Sequence, residues 1–296
     1  MKKYNLIKIS TFENRKFEDV KEIDQIYFDK VRKDSEILKH VYTQFVIFKN
    51  LQLNLKDYSS FLDKITDIST DRANIKIIHH PDLLLKANQV ILNFLSSFKF
   101  FLDNGESYLK RKYGKHSNET NSFLKLISQE FDNYFAYRFL IKLRNYSIHL
   151  GFPLQGLMLK AEKFIDIPGE TLGSIQLLID IDLIKKEKNL LGSIVYNDIK
   201  ELTENIDLKP LIYDVSISII NIQKHVINIQ KEQILNAISN LEERVGRYKT
   251  KSNDLKVIHN YQKIGKTLKF NAYHIPFEII DELKNYIKTS ANNTYT

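Results

Sequence analysis

No cysteine occurs in the 296 residues. Disulfides, thiolate metal sites and cysteine nucleophiles are thereby excluded, and the composition fits a reducing cytoplasm. Long apolar runs are missing as well. The best, VILNFLSSFKFFL, is broken by Asn93, Ser96, Ser97 and Lys99, short of the roughly 18 apolar residues that a membrane span needs. No membrane partner is therefore expected. The start, MKKYNLIKISTFENRKFEDVKE, has Lys2 and Lys3 but too short an apolar stretch for a signal peptide.

Several catalytic signatures are also lacking. GKT at Gly265 to Thr267 has Asn260 where a phosphate loop needs glycine. His79 and His80 stand before Pro81 with no HExxH arrangement and no carboxylate at ligand spacing, so they read as a turn pair rather than a zinc site. There is no GxSxG elbow. Asp180 and Asp182 alternate with isoleucines, which places them on the solvated face of a strand. Nothing in the sequence calls for a metal or a cofactor.

What is present describes a globular chain. Apolar residues make up 43% and charged residues 27%, enough for one substantial core or two small ones. Lysine and arginine number 44 against 36 acidic residues, a net charge of +8. That balance favours a polyanionic partner, although lysine-rich usage also arises from AT-rich coding.

Periodicity predicts a mainly α fold of long helices with a small β insertion. Residues 1–72 read as helical after a short strand at Tyr4 to Ile9. A helical core spans 73–250, and a strand and helix fill 251–296, the three segments forming one compact unit. Within the core, Leu84, Ala87, Ile91, Phe94, Phe98 and Phe101 mark a helix that Asn104-Gly105 should end. A second helix starts between Asn118 and Ser122 and carries Phe123, Ile127, Phe131, Phe135, Phe139 and Leu143 at spacing four. A hairpin or small sheet is expected over about 154 to 186, with Pro168, Gly169 and Gly173 as turn formers. A third helix should run from Tyr213 to Tyr248. Its stripe of Val215, Ile219, Ile222, Val226, Ile229, Ile234, Ile238, Leu241 and Val245 reads as a core face, with a dimer seam as the alternative. The closing NTYT is expected to fray.

The second helix closes on RNYSIHLGFP, residues 144 to 153. Asn145 and His149 stand at i and i+4, about 40° apart on one face, and Arg138 falls on that face too. Gly151 and Pro153 should stop the helix just beyond His149. An arginine and an ionisable histidine at a fixed helix end, where the dipole favours positive charge, suit a phosphodiester. Arg144 is planar and permanently charged, fit for two phosphate oxygens.

An arginine followed by four to six residues and a histidine is a loose pattern. With 8 histidines among 296 residues, chance alone supplies about 0.65 matches. Arg72 to His79 and Arg111 to His116 also fit it, but the first lies at a helix junction and the second encloses Gly114.

In its full form, RNYSIHLGFP resembles the RNYxxHxGxP stretch of the HEPN superfamily (higher eukaryotes and prokaryotes nucleotide-binding). The resemblance covers about 30 residues of this helix closely, and the bundle from 73 to 250 loosely. It implies a helical bundle that dimerises across a cleft and cleaves RNA without metal, commonly as a toxin or antiviral-defence effector. Arg144 and His149 would take the catalytic positions and Asn145 the polar position that orients them. An antitoxin or defence-system protein would be a further partner. Lys110, Arg111, Lys112 and Lys115, with Arg138, Arg244 and Arg247, are candidates for contacting RNA phosphates. The alternative is a non-catalytic module of the same shape that binds RNA, a nucleotide or a protein.

Overall fold

The computed structural model describes residues 2–4, 7–13, 16–71, 81–163, 171–249, 254–265 and 267–292. Three strands, β1 (Lys2–Tyr4), β2 (Ile7–Glu13) and β3 (Lys16–Ile23), precede the helices α1 (Gln25–Asp71), α2 (Pro81–Tyr113), α3 (Asn118–Asn133) and α4 (Phe135–Leu150). A hairpin of β4 (Gly156–Lys163) and β5 (Thr171–Ile179) leads to α5 (Ile181–Lys185), α6 (Lys188–Ile199) and the short β6 (Ile206–Asp207). The chain closes with α7 (Leu208–Val245), β7 (Leu255–Ile264), β8 (Thr267–His274) and α8 (Phe277–Asn292). The protein is mainly helical, with two small antiparallel sheets.

The chain divides into two units, one of Met1–Phe45 with Ile227–Thr296 and one of Val46–Val226, the boundaries falling inside α1 and α7. In the first, both chain ends build one sheet. β2 pairs with β3 and with β7, while β1 and β8 also pair with β7. Ile9 lies opposite Val257, and both side chains are fully buried. The sheet packs on helix: Phe28 lies 4.9 Å from the His259 ring and 5.8 Å from that of Tyr273. Asp34 of α1 pairs with Arg244 of α7, and Phe45 meets Tyr286 of α8 edge-on. Helix was expected from the first short strand to residue 72. The β2–β3 hairpin was not, because its pairing with β7 spans the chain and leaves no local period.

In the second unit α2 and α4 share an aromatic core. Phe94 and Phe98 stack, and Phe98 meets Tyr137 edge-on at 5.4 Å. Here the helix limits differ from expectation. Gly105 does not end α2; it lies inside the helix, where an added Cβ would stand 3.0 Å from the Phe123 ring. The glycine serves close packing between α2 and α3, so Lys110, Arg111 and Lys112 occupy the last helical turn, where cations suit the dipole. The helix turns off at Gly114, with φ of 100°.

The helix expected to run unbroken through Leu143 is two helices, because Tyr134 is extended at φ −117°, ψ 114°. The hairpin over Gly156–Lys163 and Thr171–Ile179 is as expected. Gly173 lies within β5, opposite Ala161, rather than in a turn. Pro168 and Gly169 fall outside the described residues. Asp180 is not on a strand; its carboxylate accepts the N–H groups of Asp182 and Leu183 and caps α5. Gly265, at φ 61°, follows β7, and Thr267 opens β8, so both belong to a hairpin rather than to a phosphate loop.

The stripe on α7 is core. Val215, Ile222, Val226, Ile234, Leu241 and Val245 are fully buried within the single chain, so they are not available as a dimer seam. Ile229 is only half-buried, and Ile227 takes a core position beside it. Arg72, His79 and His80 lie outside the described residues, as does NTYT.

Candidate active site at the end of the fourth helix

The working helix is α4, and its two ends are built differently. Ala136, Tyr137, Phe139, Leu140 and Leu143 bury its core face, which packs on α2, α3 and α6. At its start Arg138 holds the break after α3. Its guanidinium donates to both carboxylate oxygens of Asp198 on α6, at 2.6 and 3.1 Å. It also donates to the carbonyls of Phe131 and Asp132, at 3.3 and 3.1 Å. Those last carbonyls of α3 have no helical partner of their own, so Arg138 supplies one. This residue is committed to the fold on every side of its fork.

At its other end α4 stops as the sequence suggests. Leu150 is the last helical residue and Gly151, at φ 118°, follows. The next residues are clamped. Leu154 N–H donates to Asn88 Oδ1 at 2.9 Å, and Asn88 Nδ2 donates to the Leu154 carbonyl at 3.1 Å. The buried amide thus copies a peptide-to-peptide pairing and anchors the chain that leaves the helix. Ser147 hydroxyl donates to the Leu143 carbonyl at 2.7 Å, satisfying the last buried polar side chain of the turn.

Between these anchors stand the three expected residues. His149 is exposed, and its side chain makes no hydrogen bond to a described residue. Arg144 is half-buried; one Nη donates to Asn145 Oδ1 at 3.3 Å, while its Nε is sealed from solvent with no partner among the described residues. The fold therefore joins Arg144 to Asn145. On a regular helix Arg144 and His149 point about 140° apart, and nothing among the described residues bridges them. Ile148, Leu150 and Phe152 are 49%, 50% and 48% exposed, so apolar side chains reach solvent on either side of His149 in the sequence. Phe152 was not singled out from the sequence, though it lies in the same ten-residue stretch.

The candidate phosphate contacts fall in both units. Lys110 pairs with Glu106, and Arg111 Nε donates to the Ser107 carbonyl at 3.2 Å. Lys112 lies over the rings of Tyr108 and Tyr113, at 5.8 and 5.3 Å, and burial pushes its ammonium down to about 8. Lys115 is exposed. These four belong to one unit, whereas Arg244 and Arg247 belong to the other. Arg244 is held by Asp34, and Arg247 lies 4.7 Å from the Tyr248 ring centre.

One pairing had no sequence signal. Ser122 Oγ and His225 Nε2, 103 residues apart, are 3.1 Å from each other. It resembles a nucleophile and its base, but the Ser122 hydroxyl donates to the Glu119 carbonyl at 2.9 Å. A hydroxyl has one proton, so the imidazole must be the donor, the reverse of what activation requires. Among the described residues no cluster of three metal-ligating side chains occurs, and no helix is long and apolar enough to cross a membrane. Comparison with protein-family models, with curated proteins and with solved structures gives no match.

Proposed function

We propose that the chain is a HEPN-type endoribonuclease, a homodimer that cleaves RNA without metal and serves as a toxin or antiviral-defence effector. The observation that carries this reading is the end of α4. There an exposed His149 and, on a diverging face, an Arg144 guanidinium whose Nε has no partner among the described residues share the last turns of a packed helix. A buried donor left unmatched is uncommon in a finished structural ion pair, and an anion is what would complete it. Phe152 offers an aromatic face on which an unstacked base can rest.

The chemistry is transesterification. The ribose 2′-hydroxyl loses its proton to a base and its oxygen forms a bond to the adjacent phosphorus. The bond from phosphorus to the 5′ oxygen breaks, and that oxygen receives a proton. His149 is suited to one of these transfers, and Arg144 to the charge that develops on the phosphate oxygens. Asn145, already bonded to Arg144, positions it. Because Arg144 and His149 diverge around α4, a second copy of the motif across a dimer is the way to place both on one phosphate. An antitoxin or another defence-system protein would restrain such an enzyme.

Digestion of single-stranded RNA in EDTA tests the proposal, with expected products ending in 2′,3′-cyclic phosphate. His149→Ala should slow cleavage by about 10² to 10⁴, and Arg144→Ala by about 10² or more. Asn145→Ala should have a smaller effect, and Arg111→Ala should not abolish cleavage. Circular dichroism and light scattering must show each variant folded and dimeric. RNA that is bound but never cut would assign the chain to the non-catalytic alternative. Full cleavage by folded His149→Ala would remove the helix end from the mechanism.

A further inference from the structure

A cavity of about 390 Å³ opens where α3 breaks into α4 and both face the start of α7. Its walls include Glu130 and Asn133 from α3, Tyr134 at the break, and Asp214, Ile217 and Asn221 from α7. Glu130 is the unusual member. It is 7% exposed, and its Oε2 is sealed from solvent with no hydrogen-bond partner among the described residues. A buried carboxylate without a donor or counter-ion is costly. Arg138 does not relieve it, since its donors go to Asp198, Phe131 and Asp132. The other titratable side chain in the wall, Asp214, is also acidic, and no lysine, arginine or histidine lines the cavity.

We propose that this cavity binds a small organic cation, an ammonium or guanidinium group on a short apolar stem, with Glu130 as its counter-ion. The volume lies within the range of small-molecule sites. Two carboxylates and two amides offer acceptors to an N–H donor, while Tyr134 and Ile217, 54% and 50% exposed, offer apolar cover to the stem. An aromatic ring also attracts the cation itself. A bare divalent ion fits less well, because it needs six or so oxygen ligands and leaves the aromatic and aliphatic walls without a role. The proposal stands apart from RNA cleavage, and its test reads binding alone.

The probes are putrescine and agmatine, with sodium chloride at matched ionic strength, magnesium chloride and neutral 1-butanol as controls, read by calorimetry and by thermal unfolding of the full chain. The diamine or agmatine should bind saturably and raise the unfolding temperature, as any ligand of the native state does, while the controls should not. Glu130→Gln keeps the shape and removes the charge; it should abolish binding and be no less stable than the parent without ligand. Asp214→Asn should weaken binding less. Should Glu130→Gln fail to fold, Asp214→Lys is the second arm. It places an ammonium on the exposed side of the cavity, so it should raise the unfolding temperature and eliminate the response to putrescine. No saturable binding, equal binding by folded Glu130→Gln, or a larger response to magnesium would each overturn the assignment.

Discussion

Arg138 and Arg144 stand six residues apart on one helix, yet the fold uses them in opposite ways. Arg138 meets a carboxylate with both prongs and two helix-terminal carbonyls besides. Arg144 meets one amide oxygen, and its Nε is left without a partner. The first turn of α4 is therefore fully engaged, whereas the last turn keeps a donor unmatched among the described residues. In a basic chain such as this one, charge by itself does not distinguish a structural arginine from a functional one. What distinguishes them is how many of their donors the protein already satisfies.

That contrast is sharpest in stability. Arg138→Ala should cost about 3 kcal/mol, because it leaves the half-buried Asp198 without its partner and reopens the end of α3. Arg144→Ala should cost less than about 1 kcal/mol, as expected where few bonds are lost. Urea denaturation of the two variants side by side measures both. Arg138→Lys should recover only part of the loss, since an ammonium cannot fork onto a carboxylate. Equal stabilities for the two alanine variants would erase the distinction and return Arg138 to the candidate RNA contacts.

A smaller effect is expected at the other anchor. Asn88→Ala leaves the buried N–H and C=O of Leu154 without partners, a loss of about 2 to 3 kcal/mol. Asn88→Asp keeps an acceptor for the N–H but sets a buried carboxylate oxygen against the carbonyls of Leu154 and Leu84, so at pH 7 it should cost at least as much. Hydrogen exchange at the Leu154 amide reports the local change directly: protection should drop in Asn88→Ala. If protection is unchanged in Asn88→Ala, the chain after His149 is held by something else.

The smallest effect concerns Lys112. Burial lowers its pKa from the ordinary 10.5 to about 8, so above pH 8 the folded chain gives up this proton while the unfolded chain keeps it. The unfolded state then binds more protons, and stability should rise with pH until tyrosines ionise near 10. Replacing the side chain by Lys112→Met should remove that rise and add stability at pH 7, where the cost of the buried charge is fully present. Urea midpoints at pH 7 and pH 9 for both proteins provide the test, and parallel profiles would mean that Lys112 is solvated.

Much of the helical layout was legible. The spacing of Phe94, Phe98 and Phe101 marked the core face of α2, and the heptad stripe marked that of α7, because side-chain burial on a helix imprints its own period. Gly151 and Pro153 located the end of α4 to within a residue. The misses share a cause. Gly105 looks like a helix end in sequence, but it sits inside α2 because Phe123 needs the space. Tyr134 continues an apolar period, yet the backbone breaks there and Arg138 ties the break to Asp198, 60 residues onward. Nothing near Ile9 announces Val257.

For the candidate site the division is similar. The sequence by itself determined which residues could do chemistry and that a helix would end beside them, since residue type and turn propensity are local properties. Only the tertiary structure decided that His149 is exposed, that Arg138 is fully engaged, and that Glu130 is buried with no donor at its Oε2. Burial and hydrogen-bond satisfaction depend on what the rest of the chain brings alongside, and a side chain's partners across space leave no spacing in the sequence to read.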